Sequence, residues 1–239
     1  MWDRKELKAK GKAAMKANYW RSVVAALLLM IAITALAGGS GSSANNSLSD
    51  AKEEAEVSSG LMEMMEQDPE AAAAVVIIVV TTIAVIVLVL TILDVFVLNP
   101  LEVGGRRFFL VNSEHPAEVG EVAYAFKNHY LNMVKTAFLR DLYLGLWALL
   151  LVVPALVKAY SYRMTPYIMA EHPEMKANEA ITLSRKMMDG QKLNAFLLDL
   201  SFIGWNLLSV ITAGIAGFFY VNPYQYATDA ELYKAIRNV

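Results

Sequence analysis

Ala71-Ala72-Ala73-Ala74-Val75-Val76-Ile77-Ile78-Val79-Val80-Thr81-Thr82-Ile83-Ala84-Val85-Ile86-Val87-Leu88-Val89-Leu90-Thr91-Ile92-Leu93-Asp94-Val95-Phe96-Val97-Leu98 is the longest apolar run of the chain, and its only charge is Asp94. Acidic Glu70 precedes it and Asn99-Pro100 closes it. Coiled as an α-helix, at about 1.5 Å per residue, such a run exceeds the ~30 Å of a bilayer's hydrocarbon core. Its valine and isoleucine content would suit a buried strand. Strands, however, rarely run so long, and a segment facing lipid has to satisfy its backbone hydrogen bonds within itself. The run predicts a transmembrane helix over 71–98.

The rest of the chain agrees with a bilayer setting. Of 239 residues, 56% are hydrophobic and the mean hydropathy is +0.40, more apolar surface than a water-soluble core requires. Charged residues make up 18% and nearly balance, leaving net −2. No basic field is present to hold nucleic acid, and a nucleic-acid partner is not expected. The chain has no cysteine, which excludes disulfides, thiolate metal sites and a cysteine nucleophile.

Upstream lies a shorter apolar segment, 22–37, preceded by a stretch (1–21) that carries Arg4, Lys5, Lys8, Lys10, Lys12, Lys16 and Arg21. Basic flanks stay on the cytoplasmic side, so the N-terminus is expected inside and 22–37 is expected to be the first span. A cleaved signal peptide is the competing reading, because Ala35-Leu36-Ala37 resembles a cleavage site. The loop 38–70 opens with glycine, serine and asparagine and turns acidic from Asp50 onward, with Lys52 its one basic residue. That composition predicts an extracytoplasmic loop.

The second half repeats itself. Glu114-His115-Pro116 recurs 57 residues later as Glu171-His172-Pro173. In the same order Asp141-Leu142 pairs with Asp199-Leu200, Trp147 with Trp205, Leu149-Leu150 with Leu207-Leu208, and Pro166-Tyr167 with Pro223-Tyr224. Each unit, 99–170 and 171–239, reads as an amphipathic surface helix followed by a helical hairpin. The surface helices are expected over Pro116–Tyr130 and Pro173–Asp189; the stretch Arg4–Tyr19 plays the same part before the first span. A unit that starts each time on the same side crosses an even number of times. The basic segments 99–137 and 171–193 both read as cytoplasmic. Tight bends are therefore expected near Val153-Pro154 and near Ile211–Gly214. The expected architecture is all-α, a polytopic transmembrane helical bundle in one membrane domain, with six spans, interfacial helices and a cytoplasmic tail. The alternative has four, with Arg140–Ala170 and Leu193–Tyr224 as long tilted helices.

The chain resembles a bacterial integral membrane family, domain of unknown function 975. The resemblance rests on Lys12-Ala13-Ala14-Met15-Lys16-Ala17-Asn18-Tyr19-Trp20, on Asn99-Pro100-Leu101-Glu102-Val103-Gly104-Gly105-Arg106-Arg107, and on Leu200-Ser201-Phe202-Ile203-Gly204-Trp205 with Asn222-Pro223-Tyr224 and Ala230-Glu231-Leu232-Tyr233. More distantly, Leu150-Leu151-Val152-Val153-Pro154 followed by Ser184-Arg185 is similar to the multi-span regions attached to some glycerophosphodiester phosphodiesterases. The resemblance implies a helical protein of the bacterial plasma membrane and no activity; the charge pattern and an even number of spans imply that both termini are cytoplasmic.

Candidate functional residues follow from the cost of charge in hydrocarbon. Asp94, Asp141, Lys158, Arg163 and Asp199 lie in or beside expected spans, where each has to be paired or reach water. Arg106, Arg107, Arg185 and Lys186 are expected at the cytoplasmic surface, where guanidinium and ammonium groups suit anionic lipid headgroups. Glu114, His115, Glu171 and His172 are weak candidates for a metal site should the two units pack symmetrically; ordinary helix-start chemistry explains them better. No phosphate-cradling glycine loop, His-Glu-x-x-His helix or Gly-x-Ser-x-Gly turn occurs, and no cofactor is expected. The expected role is a non-enzymatic membrane factor that contacts lipids or a membrane-protein partner. A small transporter or accessory subunit of one is the alternative, and a membrane-embedded lipid enzyme the third reading.

Overall fold

The computed structural model of the chain describes residues 2–34, 59 and 68–238, and all regular structure among them is helical. The described chain divides into two compact units, Thr34–Asp94 and Met1–Ile33 with Val95–Val239. Most of the expected acidic loop 38–70, and the end of the expected first span at Ala35–Ala37, lie outside the described residues.

In the smaller unit the decisive apolar run is a helix. With α1 (Arg4–Ala17) and α2 (Tyr19–Thr34) preceding it, it is α3, Pro69–Leu93, 25 residues long. It starts as the sequence dictates: Pro69 occupies the first turn, and the Asp68 carboxylate accepts the Ala71 N–H at 3.0 Å. Its apolar side chains are exposed around the helix, Ile77 and Ile78 each at 64%. At 1.5 Å per residue α3 is ~38 Å long, enough to cross a bilayer.

Helical backbone continues past Asp94 into a π turn, Asp94–Leu98, and then α4, Asn99–Asn112. The Asn99-Pro100 break is thereby absorbed. Pro100 lacks an N–H, and a widened turn ahead of it removes the clash its ring would make in a regular α-helix. The same device recurs later: a second π turn, Gly217–Val221, precedes Asn222-Pro223 at the start of the last helix.

In the larger unit α1 and α2 meet at an angle of 107°. The corner is Asn18, whose side-chain amide donates to Asn112 Oδ1 and to the Ala117 carbonyl, both at 2.8 Å. Asn112 in turn donates to the Ala14 carbonyl at 3.0 Å. The apolar stripe of α1, Leu7 and Met15 with Gly11 between them, is buried, and α1 packs along the last helix, Asn222–Ile236. The stripe expected to lie on lipid is thus covered by protein. From α2, Ala25, Ala26 and Leu29 face the core while Trp20, Val24, Leu27 and Ile31 are exposed.

The expected surface helix over Pro116–Tyr130 is broken. A 3-10 turn, Val119–Ala123, leads to the single turn α5, Tyr124–Lys127, and His129 turns left-handed at φ 45°. Close packing explains it. A Cβ at Gly104 would collide with the Val122 carbonyl, so the 3-10 turn lies directly on the α4 backbone.

Two helical hairpins follow. The first is α6, Tyr130–Leu150, and α7, Val152–Tyr162, with extended Leu151 at the reversal. The short α8, Thr165–Glu171, is buried along nearly its whole length and packs on α4. Next comes α9, Ala177–Met187, the later surface helix, which starts after Pro173 rather than at it. Its Ala180, Ile181, Ser184 and Met187 are buried. The second hairpin is α10, Lys192–Leu200, then α11, Ile203–Ile211, and after the reversal the second π turn. Ala213 (φ 49°) and Gly214 (φ 88°) form that reversal. Both turns fall where the sequence places bends. The chain ends in α12, Asn222–Ile236; the segment read as a cytoplasmic tail is a core helix with Tyr224, Ala227, Leu232 and Tyr233 buried.

Among the described residues, two helical stretches suffice by length and hydropathy to cross a membrane, Pro69–Asn112 and Lys192–Ile211, and a third if the bent pair α1–α2 counts as one span. The returning leg of the first hairpin, α7, has 11 residues. At ~16 Å it covers about half the hydrocarbon thickness.

Candidate functional site: a chain of ion pairs under two hairpins

Seven buried and half-buried charges of the larger unit form one connected chain. Arg140 bonds Asp141 and Glu102, each at 2.8 Å. Glu102 lies 3.8 Å from Arg106, one helical turn on, and Arg106 meets Asp229 at 3.2 Å. Asp229 accepts Arg163 at 2.7 Å, and Arg163 grips Asp199 with two bonds of 2.7 and 2.8 Å. The Tyr160 hydroxyl donates to Asp199 at 2.8 Å. Seven alternating charges thus tie α4, α6, α7, α10 and α12 together, because α4 brings Glu102 and Arg106 into the midst of the other helices.

Desolvating these groups costs several kcal/mol per ion, and only complete pairing offsets it. The network comes close to that requirement: each carboxylate has an arginine and each arginine has at least two partners, while the buried Arg106 Nε is left without an acceptor. The Arg106 guanidinium also lies over the rings of Tyr167 (5.5 Å) and Tyr226 (5.2 Å). Burial pushes the Tyr167 hydroxyl up from its ordinary pKa, so it stays protonated beside the guanidinium.

Of the five charges singled out in the sequence, Asp141, Arg163 and Asp199 belong to this chain. Asp94 is buried at the start of the first π turn. Lys158 stands 4.8 Å above the Trp147 ring. Arg106, read as a headgroup ligand, is instead engaged in the ion chain. Arg107 is engaged as well: it bonds Glu121 at 2.8 Å and the Ala170 carbonyl at 2.6 Å, and lies 3.7 Å over Tyr124. Arg185 and Lys186 are exposed. Sequence reading missed Glu102, Arg140 and Asp229. The Glu102/Arg106 spacing of one turn was the available signal; Asp229 was hidden by reading its helix as a tail.

The two Glu-His-Pro motifs approach a common partner. Arg237 pairs with Glu171 at 2.6 Å and with Glu114 at 3.5 Å. Tyr233 donates to Glu171 at 2.6 Å. His115 and His172 are exposed, His172 standing 3.7 Å from Glu174. Among the described residues no three His, Asp or Glu side chains gather as a metal site would require. A groove of about 670 Å³ between α1, the end of α4 and α12 is lined by Lys10, Glu114, His115, Glu231 and Lys234, charges of both signs.

Residues 142–239 match the family model described as Protein of unknown function (DUF975). Over those residues the chain is similar to that family. The matched stretch takes in most of the first hairpin, all of the second, and α12, and therefore holds Arg163, Asp199 and Asp229. Glu102, Arg106 and Arg140 reach it from outside the matched residues, as do the motifs at Lys12–Trp20 and Asn99–Arg107. No curated protein and no solved structure matches the chain.

Proposed function

We propose that this chain is an integral protein of the bacterial plasma membrane that works without catalysis, holding lipids and a membrane-protein partner at the cytoplasmic face. The observation that carries the reading is the distribution of exposed apolar side chains: they surround α3, and in the larger unit they gather at the two hairpin ends, Leu149–Val153 and Val210–Ile215. Surfaces of that kind are stable in hydrocarbon and costly in water. In this reading both termini and the basic segments 99–137 and 171–193 are cytoplasmic, and 38–70 is outside.

The ion chain supports a structural over a transporting role, since its carboxylates are committed to arginines. The reading also takes the chain as three related units, each passing from an amphipathic segment through apolar helices to a proline-led core helix. Asn99-Pro100, Thr165-Pro166 and Asn222-Pro223 begin α4, α8 and α12, and α4 packs against both others.

Lipid contact falls to exposed Arg185 and Lys186. Arg185 and Lys192 are close enough to Lys158 to repel it, so this edge of the domain suits an anionic phosphate. Purification in mild detergent tests the point. Anionic phospholipid is expected to copurify, and Arg185→Gln with Lys186→Gln to weaken its binding by roughly fivefold per charge at low salt. Equal retention of anionic and zwitterionic lipid by both proteins would contradict headgroup recognition.

A further inference from the structure

Resting on the membrane reading, we infer that the two hairpins, α6–α7 and α10–α11 with its returning π turn, enter the cytoplasmic leaflet only and turn back near the bilayer midplane. Their partner is the acyl region of one leaflet.

Depth is the first reason. Asp141 and Lys158 stand on opposite legs of the first hairpin, ten residues before and seven residues after Leu151; these put charge within ~15 and ~10 Å of the turn. In the second hairpin Asp199 and Asn222 bracket Thr212 at ~20 and ~15 Å. A full crossing needs ~30 Å of apolar leg on both sides. Neither hairpin has it on both sides: Lys192–Ile211 is ~30 Å long but carries Asp199, and its return from Thr212 reaches Asn222 within ~15 Å.

Burial grades the same way. At the bases Met133, Ala137, Ser161, Tyr162, Ala195 and Phe202 are buried, whereas 142–157 and 203–216 contain no buried residue. Exposure reaches 86% at Leu149 and 75% at Val210. The outer half of each hairpin therefore has no face packed on the folded unit, whereas at the bases exposed Leu131 and Leu193 stand beside buried neighbours.

The second turn is also built for a medium without water. The N–H groups of Thr212, Ala213, Gly214 and Ile215 donate to the carbonyls of Leu208, Val210, Ser209 and Thr212, at 2.7 to 3.1 Å. Ala216 donates to the Thr212 hydroxyl at 3.0 Å, and that hydroxyl donates to the Leu208 carbonyl at 2.9 Å. An unpaired N–H or C=O in hydrocarbon costs several kcal/mol, and these bonds lower that cost for this turn. Trp205 packs on Tyr220 at 5.1 Å below the second turn, an aromatic pair suited to the interface.

The cysteine-free chain allows a direct test in native membranes. Single cysteines replace Ser113, Asn178, Leu151, Ile211 and, as neighbours of the last two, Val152 and Ile215. An impermeant maleimide should label Ser113→Cys and Asn178→Cys from the cytoplasmic side only. The four turn positions should be labelled from neither side. A fluorophore attached to them before reconstitution should be quenched more by a nitroxide near the acyl-chain end than by one at the headgroup. Labelling of the turn positions from outside would overturn the inference and leave membrane residence intact. Labelling from the cytoplasmic side without quenching would put the turns in water and overturn it as well. Loss of the unsubstituted protein from the membrane pellet in alkaline carbonate would instead defeat the underlying membrane reading.

Discussion

Asp229 links the two halves of the ion chain, since Arg106 and Arg163 both depend on it and its side chain is only 8% exposed. Removing one partner from a buried pair leaves an uncompensated charge, which costs ~3–5 kcal/mol. Asp229→Asn is therefore expected to destabilise the detergent-solubilised protein by ~3 kcal/mol in thermal or denaturant melts. Asp189→Asn, at an exposed carboxylate, should change stability by less than about 0.5 kcal/mol. Tyr233 offers a pH-dependent counterpart. Burial, and donation of its hydroxyl to Glu171, push its pKa well above the ordinary value near 10. The folded state favours the neutral phenol, so the contribution is whole below pH ~10 and is lost as pH rises through the folded-state pKa. Tyr233→Phe should cost about 2 kcal/mol at neutral pH and flatten the alkaline limb of the stability profile. An alkaline limb of unchanged slope would show that the hydroxyl has no such shift.

At the scale of elements, periodicity and punctuation made most helices readable. The run 71–98 and the basic stretch 4–19 became α3 and α1 within a few residues because both carry strong local signals: a long uncharged run after a capping Asp68, and apolar residues at helical spacing. The bends near Val153-Pro154 and Ile211–Gly214 were readable for the same reason, since proline and glycine change the local energy whatever the surroundings. What the sequence concealed was tertiary. The Pro116–Tyr130 helix gave way because the 3-10 turn seats on Gly104, a contact between segments that no local pattern records. Likewise, Asp229 looked solvated until α12 was found among α1, α4 and the hairpins. The second reversal yields its own prediction. Gly214 stands at φ 88°, where a β-carbon is strained, and Gly214→Ala should cost about 1 kcal/mol without altering the ion chain. A neutral effect would mean that the turn relaxes freely.

Taken whole, the larger unit has an apolar core, with Phe108, Met133, Ile168 and Leu198 among its members, as a soluble domain would. Beside it arginines and carboxylates are paired, while leucine, isoleucine and valine project at the hairpin ends. In water the arrangement would expose apolar groups that burial would stabilise at ~25 cal/mol per Å². In a bilayer the same groups are solvated by acyl chains, and the paired charges hold the hairpin bases together. The candidate charges were therefore partly legible as charges that need partners, but which partners they take depends on the helices meeting.

Residence in the membrane is the claim on which the rest depends, and detergent-free extraction tests it most directly. Membranes containing the full chain are washed in alkaline carbonate, then treated with detergent, and each fraction is examined for the protein and its oligomeric size. Retention through carbonate and release only by detergent is the expected result. A compact monomer recovered in aqueous buffer without detergent would contradict it.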